Sequence, residues 1–301
     1  MSIAFERLIQ GFLDSGSRSG MTENTIRNYR SDLRSLMQFI EEAQFDFQSL
    51  GLQELTAYLT HLQALGLKPN SQRRKIMTAK TFLKAVSHQI DVSLVGAEKI
   101  VPPEKIEKPP QLVPLDIIEH IRSAQSETPL GLRNRALLGV MLDTGALVTE
   151  VLALKQEDIH WEGDQGARLT ITVGRSRAVR VSHRTARDVS RLIESLTERH
   201  HGVFYGYHKG GPHAERLTAR GVEVLFKNWS KLHDQSALKP RVMRHLFVMA
   251  CYREGKSEPE IMGLLGLRTP YIFKIYRPLH QEEIAAHAQR DAEAATGASA
   301  L

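Results

Sequence analysis

Between Pro240 and Tyr276 the chain collects side chains that chemistry would use. Arg241, Arg244 and His245 open an apolar helical run through Leu246, Phe247, Met249 and Ala250, which Gly255 ends. A second run, Glu258 to Leu265, stops at Gly266. Tyr276 then stands between Ile275 and Arg277, with the helix-stopping Pro278 next. Two more cations, Arg175 and Arg177, sit in the turn Gly174-Arg175-Ser176-Arg177. A guanidinium holds a phosphate well, but with a pKa above about 12 it gives up a proton poorly. A tyrosine inside an apolar helical stretch is more often a core residue with a solvated hydroxyl than a nucleophile. Residue type alone leaves both readings of Tyr276 open. His200, His201, His208 and His213 share a Gly-rich stretch, but without regular ligand spacing they read as a solvated loop, and no metal is expected.

The elements that must position these groups follow from periodicity. Residues 22–42 read as an amphipathic helix capped by Thr22, with Ile26, Tyr29, Leu33, Leu36, Met37 and Ile40 on one face. Leu52, Leu55, Leu59, Leu62 and Leu65 repeat the pattern up to Gly66. Asn70 is expected to cap a third helix with Ile76, Ala79, Leu83 and Val86 inward and Arg73, Arg74, Lys80 and Lys84 on its other face. A run of charge is usually a solvated face, and that is the plain reading here. Gly96 to Pro114 carries five prolines and alternating charges, which makes an extended linker.

Beyond the linker, Ile117, Ile118 and Ile121 form a short amphipathic turn, and Leu137, Leu138, Met141 and Leu142 a longer buried face. Arg133 and Arg135 are expected on a solvated or phosphate-touching helix face. Alternation of Leu169, Ile171 and Val173, then Val179 and Val181, predicts a β-hairpin around the Gly174–Arg177 turn. Val189, Leu192, Ile193 and Leu196 mark another helix. Residues 279–294 are helix-prone, and the final ATGASAL reads as disordered.

The whole chain of 301 residues has room for two cores. Its net charge of +6 favours a polyanionic partner. The single cysteine, Cys251, excludes an internal disulfide and fits a reducing cytoplasm. No run of about 18 apolar residues suggests a membrane span, and Glu6 and Arg7 interrupt the apolar start, so no signal peptide is expected.

Three blocks carry a resemblance. Arg244-His245, Leu264-Leu265-Gly266 and Tyr276 resemble the His-x-x-Arg-His, Leu-Leu-Gly-His and tyrosine of the tyrosine recombinase (phage integrase) family. Thr144 to Leu154 is similar, without a gap, to that family's Thr-Gly-x-Arg-x-Ser-Glu-x-x-x-Leu. Asn24, Thr25, Tyr29, Asp32 and Leu33 look like part of its core-binding domain. The chain departs at Arg241 (family His), Leu267 (His or Trp), Leu147 (the first catalytic arginine) and the hairpin, which offers Arg175 and Arg177 where the family presents a lysine.

The resemblance implies a mainly α fold with a small β-hairpin sheet. It places a helical core-binding bundle at 1–95, a Pro-rich linker at 96–114, a catalytic domain at 115–278 and a C-terminal helix and tail at 279–301. Tyr276 would be the nucleophile toward a DNA phosphate and Arg244 the second arginine, with Arg241 and Arg177 as substitute cations. Arg73, Arg74, Lys80, Lys84 and Arg175 would touch DNA. The reaction needs neither metal nor cofactor, because its burden is electrostatic stabilisation of a five-coordinate phosphate. The implied partners are double-stranded DNA and a second copy or another recombinase bound to it, in the cytoplasm on the nucleoid, with no membrane involved. Each missing donor costs on the order of 10²–10³ in rate, so the alternative is a DNA-binding accessory subunit that partners an active recombinase. Ser257 to Leu267 also resembles the start of a helix-turn-helix, which would suit a transcription factor but leaves the N-terminal bundle unexplained.

Overall fold

A computed structural model describes residues 2–46, 50–89, 100–106, 109–196, 201–208 and 211–297. They divide into two compact units, Met1–Glu107 and Lys108–Leu301. Among the described residues, no helix is long and apolar enough to cross a membrane.

The first unit is a bundle of α1 (Ser2–Arg18), α2 (Glu23–Glu42), α3 (Leu52–Ala64) and α4 (Pro69–Val86). Periodicity had not singled out α1, although Phe5, Ile9 and Leu13 recur every fourth residue and are all buried. The expected cap of α2 is present: Thr22 Oγ1 accepts the Thr25 N–H at 3.2 Å. Asn70 does not cap α4. Pro69 opens that helix, where its missing N–H costs nothing, and Asn70 exchanges hydrogen bonds of 2.9 and 3.0 Å with the Ile106 backbone. The rings of Phe5 and Phe12 meet Phe82 edge-on at 5.6 and 5.5 Å, a geometry worth about 0.5–1.5 kcal/mol beyond area burial. Leu65, counted on the apolar face of α3, is 59% exposed.

The second unit runs α5 (Leu115–Ser123), α6 (Pro129–Thr144), α7 (Val148–Ala153), β1 (Ile159–Trp161), β2 (Ala167–Ile171), β3 (Arg177–Val181), α8 (His183–Glu194), β4 (Tyr205–His208), β5 (Gly211–Arg216), α9 (Ala219–Leu232), α10 (Pro240–Arg253), α11 (Glu258–Leu265) and α12 (Tyr276–Gly297). Helix α6 forms its axis, with Ala136, Leu137, Val140 and Met141 nearly inaccessible. An ion pair of 2.7 Å between Arg122 and Asp188 joins α5 to α8 in the interior, and Thr185 Oγ1 accepts a further bond from Arg122. The predicted hairpin is β2–β3, antiparallel with Leu169 opposite Val179. The three-residue β1, too short for its alternation to be read, adds a third strand.

Three expectations differ here. The His-rich stretch holds a second hairpin, β4–β5, among its described residues, because Tyr205 and Tyr207 favour strand over loop. Residues 295–297, read as disordered, continue α12. Arg133 is not on a solvated face but buried, donating to Tyr205 O at 3.2 Å and to Asn134 Oδ1 at 2.8 Å, its guanidinium 5.2 Å from the Tyr207 ring centre. Burial pushes its pKa down to about 10.

Candidate active site

Four elements converge where α11 ends. Helix α10 supplies Arg244 and His245 in its second turn, both buried. Arg244 Nη1 donates to Gly145 O at 2.9 Å and Nη2 to Leu265 O at 3.3 Å. Gly145 closes α6 at φ +60°, and a Cβ there would fall 2.4 Å from the Phe247 ring. Only glycine lets the end of α6 approach α10 this closely with its carbonyl turned to the arginine. Burial draws the Arg244 pKa below its ordinary value, against the support of the Glu150 carboxylate 3.8 Å away.

Tyr276 opens α12, after a 3-10 turn over Pro270–Ile275, and is fully buried among Phe247, Ile261, Leu265 and Phe273. Its hydroxyl lies 2.5 Å from His245 Nδ1. Burial, partly offset by Arg241 and Arg244, raises the phenol to about 12. Burial and the same two arginines lower His245 to about 4. Both groups are therefore held in their neutral forms and share one hydrogen bond. Tyr276 is a core residue, but its hydroxyl is not solvated as that reading expects: it is hydrogen-bonded to the His245 ring.

The opposite side is built on Glu150, in the first turn of α7 and buried. It accepts two bonds of 2.9 Å from Arg177 and one of 2.6 Å from the Leu147 N–H. A leucine cannot return a side-chain acceptor to α7, so half of the capping exchange is absent. Arg177, at the start of β3, also gives Nε to Leu264 O at 2.7 Å. Arg175 Nη1 reaches Leu267 O at 3.4 Å. Arg177 and Arg244 thus serve carbonyls that α11 leaves free at its C-terminus, where cations also complement the helix dipole, and Arg175 reaches one just beyond it.

The substituted positions are also placed. Leu147 is 48% exposed beside this cluster. Leu267 is half-buried against the Tyr276 core. Arg241 is exposed in the first turn of α10, and its charge acts on His245 and Tyr276. Tyr276, Arg244, Arg177 and Arg175 come together around α11, then, with Arg241 on the rim. No group of three His, Cys, Asp or Glu side chains is arranged as a metal site among the described residues.

The cations of α4 have internal duties. Arg73 donates to Pro103 O at 3.2 Å and Lys80 to Ile100 O at 2.8 Å, strapping residues 100–106 along the helix. Arg74 is ion-paired with the buried Asp32, which Lys75 approaches to 3.6 Å. Lys84 is exposed.

Sequence reasoning missed Glu150 and assigned His245, though named in the motif, no chemistry. Glu150 was visible in the Thr144–Leu154 block, and a lone carboxylate among apolar residues signals a buried partner for a cation. His245 gave no such signal, because its contact is with a side chain 31 residues away.

Residues 113–283 match the model of the phage integrase family, and residues 9–89 match its N-terminal SAM-like domain. The chain is 26% identical over 282 residues to the tyrosine recombinase XerD of Listeria innocua, covering 88% of this chain and 92% of that protein. It is 23% identical over 250 residues to the tyrosine recombinase XerC of Staphylococcus saprophyticus, covering 81% and 83%. Its fold is similar to that of the site-specific recombinase XerH bound to palindromic difH substrate in a post-cleavage complex (TM-score 0.71, 15% identity, 93% of this chain and 83% of that one). A lambda integrase dimer bound to a COC′ core site is also similar in fold (TM-score 0.67, 16% identity, 89% and 96%).

Proposed function

This chain belongs to the phage integrase family, and we propose that it binds duplex DNA at a specific site and takes part in site-specific recombination. The observation that supports this most is the buried assembly of Arg244, His245 and Tyr276 at the end of α11. In the proposed reaction the Tyr276 oxygen attacks a backbone phosphorus, the bond to the 5′-oxygen breaks, and a 3′-phosphotyrosyl link forms. The phenol proton passes to His245 Nδ1, and a hydroxyl of a second strand later reverses the step. An arriving phosphate would neutralise Arg241 and Arg244, the charges that oppose an imidazolium at His245, so substrate binding itself makes the acceptor more basic.

The phosphate-holding side carries less. Leu147 offers no donor, and Arg177 is committed to Glu150. With a guanidinium where a proton donor is wanted, the leaving 5′-oxygen is poorly served. We infer slow cleavage by the isolated chain, and a role in which it occupies its site and pairs with a second copy or an active recombinase on the nucleoid. The units joined through 96–114 would both contribute to DNA affinity, since a tether converts the second contact into an intramolecular one.

The test is footprinting on the DNA that flanks the gene, together with strand joining in cells with and without a co-expressed recombinase. A discrete protected site is expected, with joining that depends on the second protein. Protection of no particular site at any salt concentration would contradict the reading.

A further inference from the structure

We propose that residues 100–106 act as a strap that covers the cations of α4 in the free chain and is exchanged for phosphates when duplex DNA binds. This rests on the reading that the chain binds DNA and deepens it with a device that opposes binding. Helix α4 carries five cations and no Asp or Glu. Two of them, Arg74 and Lys75, are paired with the buried Asp32. Arg73, Lys80 and Lys84 are seven and four residues apart, so they share one side of the helix. Among the described residues, no carboxylate pairs with these three.

The strap lies over the first two. Arg73 Nη1 donates to Pro103 O at 3.2 Å and Lys80 Nζ to Ile100 O at 2.8 Å. One turn before Arg73, the Asn70 amide takes the Ile106 N–H at 3.0 Å and donates to the Ile106 carbonyl at 2.9 Å. Lys84 lies beyond the strap and is exposed. Pro102 and Pro103 have no N–H, so this part of the segment offers α4 only acceptors, which is what a row of cations takes. Apolar contact anchors one end, with Ile100 6% exposed, while Val101 and Ile106 remain 80% and 48% exposed. Four hydrogen bonds therefore hold most of the strap. A phosphate competes for the two central ones, because it offers Arg73 and Lys80 a full negative charge where the strap offers a carbonyl dipole.

The experiment follows the Ile106 amide by hydrogen exchange in the full chain, with and without a saturating duplex of the gene-flanking DNA, alongside salt titrations of duplex binding. Asn70 protects that amide in the free chain, and bound duplex is expected to speed its exchange by roughly tenfold or more. Each phosphate that the protein neutralises adds about 0.9 to the slope of log affinity against log salt. Arg73→Gln/Lys80→Gln is expected to lower the slope by about 2. Asn70→Ala loosens the strap and removes no charge, so it is expected to keep the parent slope and bind several-fold more tightly. Should the double variant fail to fold, Lys80→Gln alone is expected to lower the slope by about 1. An Ile106 amide that exchanges as slowly with duplex as without it overturns the strap. So does a folded cation variant that keeps the parent slope, or Asn70→Ala binding no more tightly than the parent. A parent chain whose affinity does not respond to salt overturns the DNA reading as well, so the two failures are distinguishable.

Discussion

The two sides of the α11 terminus have had different fates. On the α10 side, Arg244, His245 and Tyr276 are buried, hydrogen-bonded and held by helix ends. On the α7 and β3 side, the frame is equally well built, with Glu150 clasping Arg177 and capping Leu147, while Leu147 and Arg175 are the exposed groups beside it. The difference shows that a buried ion-pair frame can be satisfied wholly within the fold, with Arg177 held by Glu150 and Leu264 O. Arg177 answers to Glu150 and to Leu264 O, demands that exist without DNA. Leu147 answers to none, since its half-exposed side chain is outside the core.

Unseating Glu150 should disturb the molecule most. Glu150→Gln leaves Arg177 and Arg244 with an uncompensated buried charge, and a loss of about 3–5 kcal/mol is expected in chemical denaturation. A neutral outcome would mean that Arg177 is free to serve a phosphate and that the two sides are alike.

The α10 side is tested by pH. The unfolded imidazole of His245 titrates near 6.5 and the folded one at about 4. Its contribution is therefore complete above about pH 6.5 and is lost as the pH falls toward 4, because the unfolded state takes up the proton first. The difference corresponds to on the order of 3 kcal/mol. His245→Asn should flatten the fall in stability between pH 7 and pH 4 relative to the parent. Parallel curves for the two proteins would show that His245 is not held neutral.

Leu147 should matter least to folding. Its side chain is half exposed, so Leu147→Arg should change stability by no more than about 0.5 kcal/mol. A loss of several kcal/mol would place Leu147 in the core and remove its contrast with Arg177.

Much of this was legible in the sequence, because helices announce themselves by period and the two hairpin strands by alternation. The blocks at 144–154 and 241–276 pointed to the candidate site through their resemblance to the family, while glycine ends and apolar faces marked where α6, α10 and α11 stop. What stayed hidden depends on contacts across the fold. Charge spacing on α4 could not reveal that Arg73 and Lys80 reach backbone carbonyls at 103 and 100. Arg133 reads as a surface cation until Tyr205 and Tyr207 form a strand over it.

Whether the nucleophile has been kept while the phosphate clamp has gone is decided by trapping the covalent adduct. The substrate is a nicked duplex spanning the bound site, from which the released fragment diffuses away and leaves any phosphotyrosyl link intact. The unmodified chain is predicted to give little or no adduct, Leu147→Arg to raise it, and Tyr276→Phe to abolish it without changing DNA affinity. Efficient adduct formation by the unmodified chain alone, absent in Tyr276→Phe, would contradict this and show that Arg241 or Arg177 has taken over the clamp.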